Sequence, residues 1–484
     1  MRKYYSFIVI ILICLGFLVS CNINEKTNDI ISEPTISIQN PSLPTEEETS
    51  PTIPNETKAK NFTHYLGSDN NICRLYINTE RGVFPQSKET YIPGYVTITE
   101  QNKSNVIQKT TEMKIRLRGN SSIAAEKKSF KIKFNEGQSL FGLTKAKDWV
   151  LIANYFDKTN IRNYLAYLTA NKLDNLNFQP STIFVDVYYN NKYYGLFLLC
   201  EQIEANNGRV DIKKNFSVDG ISSFLLEADD RAKDEYRGFI DKCYISSCGY
   251  DLALKYPDAD DYLEAYTENN KTILDQFDKD IDWLKSFMRK IESVLKTNDI
   301  NVIGNYLDLD SFIDYYLVQE FFKNVDVAST SQFYVIDQKQ DTVKLSCGPV
   351  WDFDIAAGVI DETSTDAYAG YINTSLFVRE RDDIYKILFK NKTFLKMVQK
   401  RYTEVRNVFL EIFNEIQLVK NQLESAQNRN LEKWPFTDRG SSWIEIYALS
   451  ANYYAAKSLP EHYNILTNFL RKQLALMDES YLIK

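Results

Sequence analysis

The chain has 484 residues, 44% of them hydrophobic and 25% charged, with a formal net charge of −8. This is enough apolar material for a sizeable core, and its length points to two or three domains. The acidic balance, without a long basic run, argues against nucleic acid as a partner. The chain has two histidines, His64 and His462, near opposite ends. They exclude Ser-His-Asp hydrolysis and multi-histidine zinc chemistry, and leave carboxylates, Lys, Arg and a borrowed metal ion to carry any reaction.

Met1 to Cys21 reads as a targeting segment. Arg2-Lys3 supplies the positive end, and Phe7 to Val19 is an apolar run too short for an independent membrane span. Leu18-Val19-Ser20-Cys21 resembles a bacterial lipobox. The resemblance implies cleavage before Cys21, lipidation of its thiol and an extracytoplasmic, membrane-anchored protein. Asn22 to Lys60 is rich in Ser, Thr, Pro and Glu and reads as a disordered tether. Beyond it, no C-x-x-C pair occurs among Cys73, Cys200, Cys243, Cys248 and Cys347. Zinc and a dense disulfide framework are therefore not expected, although Cys243 and Cys248 are spaced to close a small loop.

From Ile72 onward the pattern alternates, with Leu75, Ile77 and Tyr95 to Thr99 reading as strands. A strand from Met113 to Leu117 runs into Arg118-Gly119-Asn120-Ser121-Ser122, a turn able to approach phosphates through backbone N–H groups. Ser129 to Phe134 places Lys131 and Lys133 on the face opposite Phe130, Ile132 and Phe134. Trp149 to Tyr155 is an apolar strand, and Lys158 to Leu173 reads as a helix with no Glu or Asp between Ile161 and Leu173. Ile183 to Tyr189 and Tyr193 to Leu199 form a hairpin across Asn190-Asn191. Phe224 to Glu227 is a further strand, and Ala228 to Tyr262 reads as an irregular polar insertion. Lys271 to Leu295 is a strongly amphipathic helix, and helices are predicted over Ile384 to Leu423, Trp443 to Ala456 and Pro460 to Met477.

The stretch from Asp308 to Gly358 organises the rest. A helix carrying Phe312, Ile313, Tyr316, Leu317, Glu320 and Phe321, mostly on one face, runs into Asn324-Val325-Asp326. A polar loop, a strand Phe333 to Ile336, a turn and a return strand ending at Cys347 lead to Val350-Trp351-Asp352-Phe353-Asp354. Acids at the ends of two elements, separated by a hairpin, suit phosphoryl transfer: one carboxylate takes the attacking hydroxyl and the other holds a metal. Ser331 stands five residues after Asp326, where a protein kinase places an Asn ligand.

Several blocks resemble the spore coat protein H (CotH) kinase family. They are Arg118 to Ser122, Lys127-Lys128-Ser129-Phe130-Lys131-Ile132-Lys133-Phe134, Trp149 to Tyr155, Ile161-Arg162-Asn163, Tyr194 to Ile203, Asn324-Val325-Asp326 and Gly348 to Asp354, in that order. The resemblance implies an α+β, two-lobed, atypical protein-kinase-like fold, with a β-rich N-terminal lobe over 61–203 and a mainly helical C-terminal lobe over 204–484. It implies transfer of phosphate from ATP to serines of surface or spore-coat proteins. On that reading Asp326 orients or deprotonates the acceptor hydroxyl, and Asp352, Asp354 and Ser331 hold Mg²⁺. Arg118, Gly119, Asn120 and Ser121 cover the phosphates, Lys128 or Lys131 contacts them, Arg162 binds phosphate or an acidic neighbour, and Glu201 lies at the hinge beside the adenine. The competing readings are a non-catalytic surface or coat protein that retains the fold, and a glycan-associated surface module.

Overall fold

A computed structural model describes residues 64–65, 72–101, 106–214, 220–235, 242–340, 342–361, 364, 376–436 and 449–483. The expected signal segment, Cys21 and the tether lie outside the described residues, as does 443–448 of the predicted helix Trp443 to Ala456. Among the described residues no helix is long and apolar enough to cross a membrane. The architecture is mixed α+β, strand-rich first and helical later.

The first half builds one sheet from β1 (His64–Tyr65), β2 (Cys73–Thr79), β3 (Ile92–Gln101), β4 (Val106–Arg118), β5 (Ser129–Gln138), β6 (Ala146–Ile152), β7 (Thr182–Tyr189) and β8 (Lys192–Glu201). The order is β1-β7-β2-β3-β4-β5-β6-β8, and β7 also pairs with β8, so the sheet closes into a barrel with β1 beside it. The parallel pairing of β2 with β7, Leu75 opposite Val187, makes the closure. Inward-pointing Leu75, Ile115, Ile132, Trp149, Val185 and Leu199 fill the barrel, as the period-2 alternation of its strands requires. The β7–β8 turn falls on Asn190 and Asn191, both with positive φ, the backbone a two-residue hairpin needs.

Between β6 and β7 lies α1 (Arg162–Asn171). The second half begins with β9 (Phe224–Ala228) and the single-turn α2 (Ala232–Glu235). It then forms a hairpin, β10 (Tyr244–Ser247) and β11 (Tyr250–Tyr256), where an irregular insertion is predicted. The hairpin is specified by Cys248-Gly249, both at positive φ, with Leu252, Leu254 and Tyr256 buried behind them. After α3 (Ala259–Thr267), α4 (Lys271–Leu295) has the predicted bounds, its first turn capped by Asn270, whose side chain accepts from Ile273 N–H. α5 (Ile300–Gly304) and α6 (Leu309–Phe322) lead to β12 (Gln332–Ile336) and β13 (Leu345–Cys347). These strands complete a five-stranded antiparallel sheet in the order β10-β11-β9-β12-β13. Cys248 is a free, half-buried thiol, so no Cys243–Cys248 bridge forms.

The expected helix Ile384 to Leu423 is two helices, Asp383–Leu388 and Lys392–Lys433. Asn391 separates them by accepting from Thr393 and Phe394 N–H, a cap that starts a new helix. The stripe Phe394, Val398, Tyr402, Val405, Phe409 and Ile412 packs Lys392–Lys433 into the main core. Its last turns reach the barrel. Arg429 pairs with Asp186 at 2.6 Å, Asn430 Oδ1 accepts from Leu196 N–H at 3.0 Å, and Trp434 Nε1 donates to the Tyr194 carbonyl at 2.6 Å. The close approach rests on Gly195, at φ +143°, where a Cβ would stand 2.8 Å from Lys127 Cε and 2.9 Å from Asn430 Oδ1. Gly195→Ala is expected to lower stability by about 1–3 kcal/mol, the usual cost of overpacking. It should appear as a lower urea midpoint with an unchanged denaturant slope.

Candidate active site

A cleft of about 760 Å³ opens between the outer face of the barrel and the second sheet, a volume suited to a small-molecule cofactor. One wall is basic because of strand register. Arg116 lies opposite Lys131 and Arg118 opposite Ser129 across β4–β5, so the outward positions of both strands share one face. Arg116, Arg118, Lys131 and Lys133 all line the cleft. Lys131 Nζ is 3.0 Å from Asp148 Oδ1 on β6, which supplies the carboxylate partner that α1 lacks.

The opposite wall and floor are acidic. α6 ends at Lys323 in the left-handed conformation, and Asn324 then ties two segments together. Its Oδ1 accepts from Asp326 N–H at 3.2 Å and its Nδ2 donates to the Trp351 carbonyl at 3.4 Å. The Asp326 carbonyl accepts from Ser329 and Thr330 N–H, which curls the loop back toward the cleft. Ser331 and Asp352 have φ +58° and +62°, strained for residues with a Cβ and concentrated where two loops converge. Ser331 Oγ donates to Asp352 Oδ2 at 3.5 Å. Trp351 stacks on Tyr167 at 5.5 Å with 6° between the rings, and the Arg118 guanidinium lies 4.9 Å from its ring centroid.

Three carboxylates thus share the floor. Burial and the charge of Asp352 push Asp326 up to about 7. Burial, then Asp352 and Asp326, hold Asp354 well above the usual carboxylate range. Asp352 is also raised by burial, against the pull of Arg118 and the Ser331 hydrogen bond. Such mutual repulsion is relieved by a cation. Among the described residues no group of three His, Cys, Asp or Glu side chains is arranged to hold a metal ion alone.

Of the residues singled out from sequence, Arg118, Gly119, Asn120, Lys131, Asp326, Ser331, Asp352 and Asp354 line this cleft together. The Ser121 side chain lies outside the described residues. Three others are placed elsewhere. Lys128 Nζ donates to the Ile123 carbonyl at 2.7 Å, turned away from the cleft. Glu201 is buried at the end of β8, accepting from Ser181 N–H at 3.0 Å, while its neighbours Gln202, Ile203 and Glu204 line the cleft. Arg162 is fully buried against Asp157 at 2.5 Å, and its other donors hold the Ala356 and Ala357 carbonyls at 3.0 Å. It braces the chain just beyond Asp354 and contacts no cleft space.

Sequence reading missed Asp148 and the turn Asp229-Asp230-Arg231. Asp230 N–H donates to the Ser329 carbonyl at 2.9 Å, and Arg231 donates to Asp229 Oδ1 at 3.1 Å and Thr330 Oγ1 at 3.2 Å. This cation faces both Asp326 and Asp352 and draws their pKa values down. The available signal was Glu227, the acid near the end of β9, two residues before the turn.

The cleft thus sets basic side chains of the barrel against clustered aspartates from the second half of the chain. The family model described as CotH kinase protein matches residues 115–477, and the chain belongs to that family. A search of curated proteins finds no match to it.

The raised Asp326 value has a measurable consequence. A carboxyl whose folded pKa exceeds its unfolded value stabilises the fold fully below the unfolded value, and that contribution is lost as pH rises through about 7. Asp326→Asn removes the ionisation. The variant is therefore expected to gain thermal midpoint relative to the wild type at pH 8.5 and to gain distinctly less at pH 5, measured in the same low-salt buffer without divalent ions.

Proposed function

We propose that this protein is a magnesium-dependent kinase that transfers the terminal phosphoryl group of ATP to serine hydroxyls of surface or spore-coat proteins. The carrying observation is the meeting of Asp326, Asp352 and Asp354 in one cleft beneath Arg118 and Lys131. In this reading Arg118 and Lys131 face the nucleotide phosphates, the turn at Gly119 and Asn120 covers them, and Asp148 orients Lys131. Asp352 and Asp354 hold Mg²⁺, with Ser331 beside them. Bound magnesium supplies charge neutralisation across the phosphate oxygens. Asp326 accepts the proton as the serine oxygen bonds to phosphorus and the bond to the leaving ADP breaks. Its upward shift makes it a better base than an exposed aspartate at neutral pH. Arg231 faces the charge that develops between the two loops. Overlay of a two-lobed kinase-like fold on this barrel and helical lobe, with the hinge at Gln202 to Glu204, is part of the same proposal.

Lipidation at Cys21 and a tether over 22–60 would place this cleft outside the cytoplasm, on a bacterial membrane. One feature favours the non-catalytic alternative: Ser331, a weaker metal ligand than Asn, occupies the second ligand position.

Calorimetric titration of the full-length chain with ATP and Mg²⁺ separates the readings. The wild type is expected to bind and Asp352→Asn to bind weakly in the presence of magnesium. Heat-free titrations for both proteins would reject the kinase reading. Asp326→Asn should bind magnesium nucleotide as the wild type does while transfer to a serine acceptor falls by roughly 10²–10⁴-fold, the usual worth of a general base. The wild-type rate should rise with pH through about 7 as Asp326 ionises, and a residual rate in the variant should lack that step.

A further inference from the structure

The helix α1 carries no carboxylate, yet it is packed against the Trp351–Asp354 segment through side chains that the proposed reaction leaves unused. Asn163 and Tyr167, one turn apart, are both fully buried. Asn163 Oδ1 accepts from Phe353 N–H at 2.7 Å, and the Tyr167 hydroxyl accepts from Asp352 N–H at 3.4 Å. The same hydroxyl donates to Asn163 Oδ1 at 3.1 Å, and Asn163 Nδ2 donates to Asn154 Oδ1 at 2.9 Å. Two successive backbone N–H groups are thus held by two side chains that also fix one another. The residue they hold, Asp352, has φ +62°, a conformation that a non-glycine residue keeps only when its surroundings enforce it. The Tyr167 ring also stacks on Trp351, whose other neighbour is Arg118 on the basic wall.

We infer that Asn163 and Tyr167 are positioning residues that hold the Asp352 backbone in its left-handed conformation and so aim its carboxylate at the metal position in the cleft. Resting on the phosphoryl-transfer reading, this assigns α1 a different task from that of a helix that reaches for a lysine. Its polar pair grips the metal loop from behind, through the backbone, and touches neither nucleotide nor metal. Arg162 extends the grip by holding Ala356 and Ala357. Side chains that orient metal ligands typically cost roughly 10–100-fold in metal affinity when removed.

Tyr167→Phe is the discriminating variant, because it keeps the ring, its volume and its stacking on Trp351 and deletes only the hydroxyl. Asn163→Ala is its companion. Two readouts apply to the full-length chain. Without any ligand, amide hydrogen exchange at Asp352 and Phe353 should quicken in both variants while exchange in the barrel strands stays as in the wild type. With ATP at fixed concentration, the Mg²⁺ required for half-maximal nucleotide binding should rise roughly 10–100-fold, while ATP affinity measured without divalent ions stays unchanged. Unaltered exchange, or an unmoved magnesium requirement in both folded variants, would overturn the inference alone. A wild-type chain that binds no magnesium nucleotide would overturn the phosphoryl-transfer reading and this inference with it.

Discussion

Enclosure of α6 on every side is the constraint on which the rest of the molecule depends. Phe312, Tyr315, Leu317, Val318, Phe321 and Phe322 point in all directions around this helix, and all are fully buried. A helix so enclosed must have its polar groups answered from elsewhere. The Asp314 carboxylate receives Arg401 of the long helix at 2.7 Å and Asn175 N–H at 3.2 Å. Glu320 accepts from Phe377 and Val378 N–H, both at 2.8 Å, and so anchors the start of the helix Phe377–Arg381. These contacts fix α6 in position and rotation, and its last residues launch Asn324 and Asp326. The candidate base therefore extends from a helix enclosed on every side, the kind of support that a precisely held site requires.

The cleft is the opposite case, where local stability is given up. Three aspartates raised by burial, Asp326 and Asp354 also by neighbouring carboxylate charge, with Ser331 and Asp352 both left-handed, make a region that the isolated protein holds under tension. The opposing basic wall cannot discharge it fully, because Lys131 is already engaged with Asp148 and Arg118 with Trp351. On the proposed reading, a polyanion with its cation is the ligand whose two charges match the two walls. On that reading this complementarity, rather than any single contact, connects the fold to phosphoryl transfer.

Much of this was legible in sequence because the signals are local. The stripe Leu274, Phe277, Ile281, Leu284 and Met288 gave α4 its bounds, and Asn190-Asn191 gave the β7–β8 turn. Asp326, Asp352 and Asp354 could be proposed as partners from the hairpin between them, which needs no tertiary information. What could not be read is set by distance along the chain. The parallel pairing of β2 with β7 that closes the barrel joins residues on either side of four intervening strands and a helix. Arg162 stood out by its motif, yet a motif does not say whether an arginine faces a ligand or two carbonyls some 190 positions away. The one-sided helix expected over Asp308 to Phe321 is enclosed all round because other helices cover its second face, and that is a property of the assembled core.

The missing carboxylate on α1 is resolved by the same geometry. In a kinase whose lysine pairs with a helix, the pair forms only when that helix is swung into place, and the helix becomes a switch. Here Lys131 and Asp148 stand on adjacent strands β5 and β6 of one closed barrel. Their meeting is fixed by strand register and does not depend on where α1 lies. α1 is in turn immobilised against the main core, with Tyr164, Leu165 and Tyr167 fully buried. The long helix Lys392–Lys433 also binds the barrel at Arg429 and Asn430. With the lysine pair built into the barrel and the barrel clamped to the helical lobe, the basic wall and the aspartate floor are held facing one another before any ligand arrives. Such a site is assembled by folding itself, through strand register and the clamp of the long helix on the barrel.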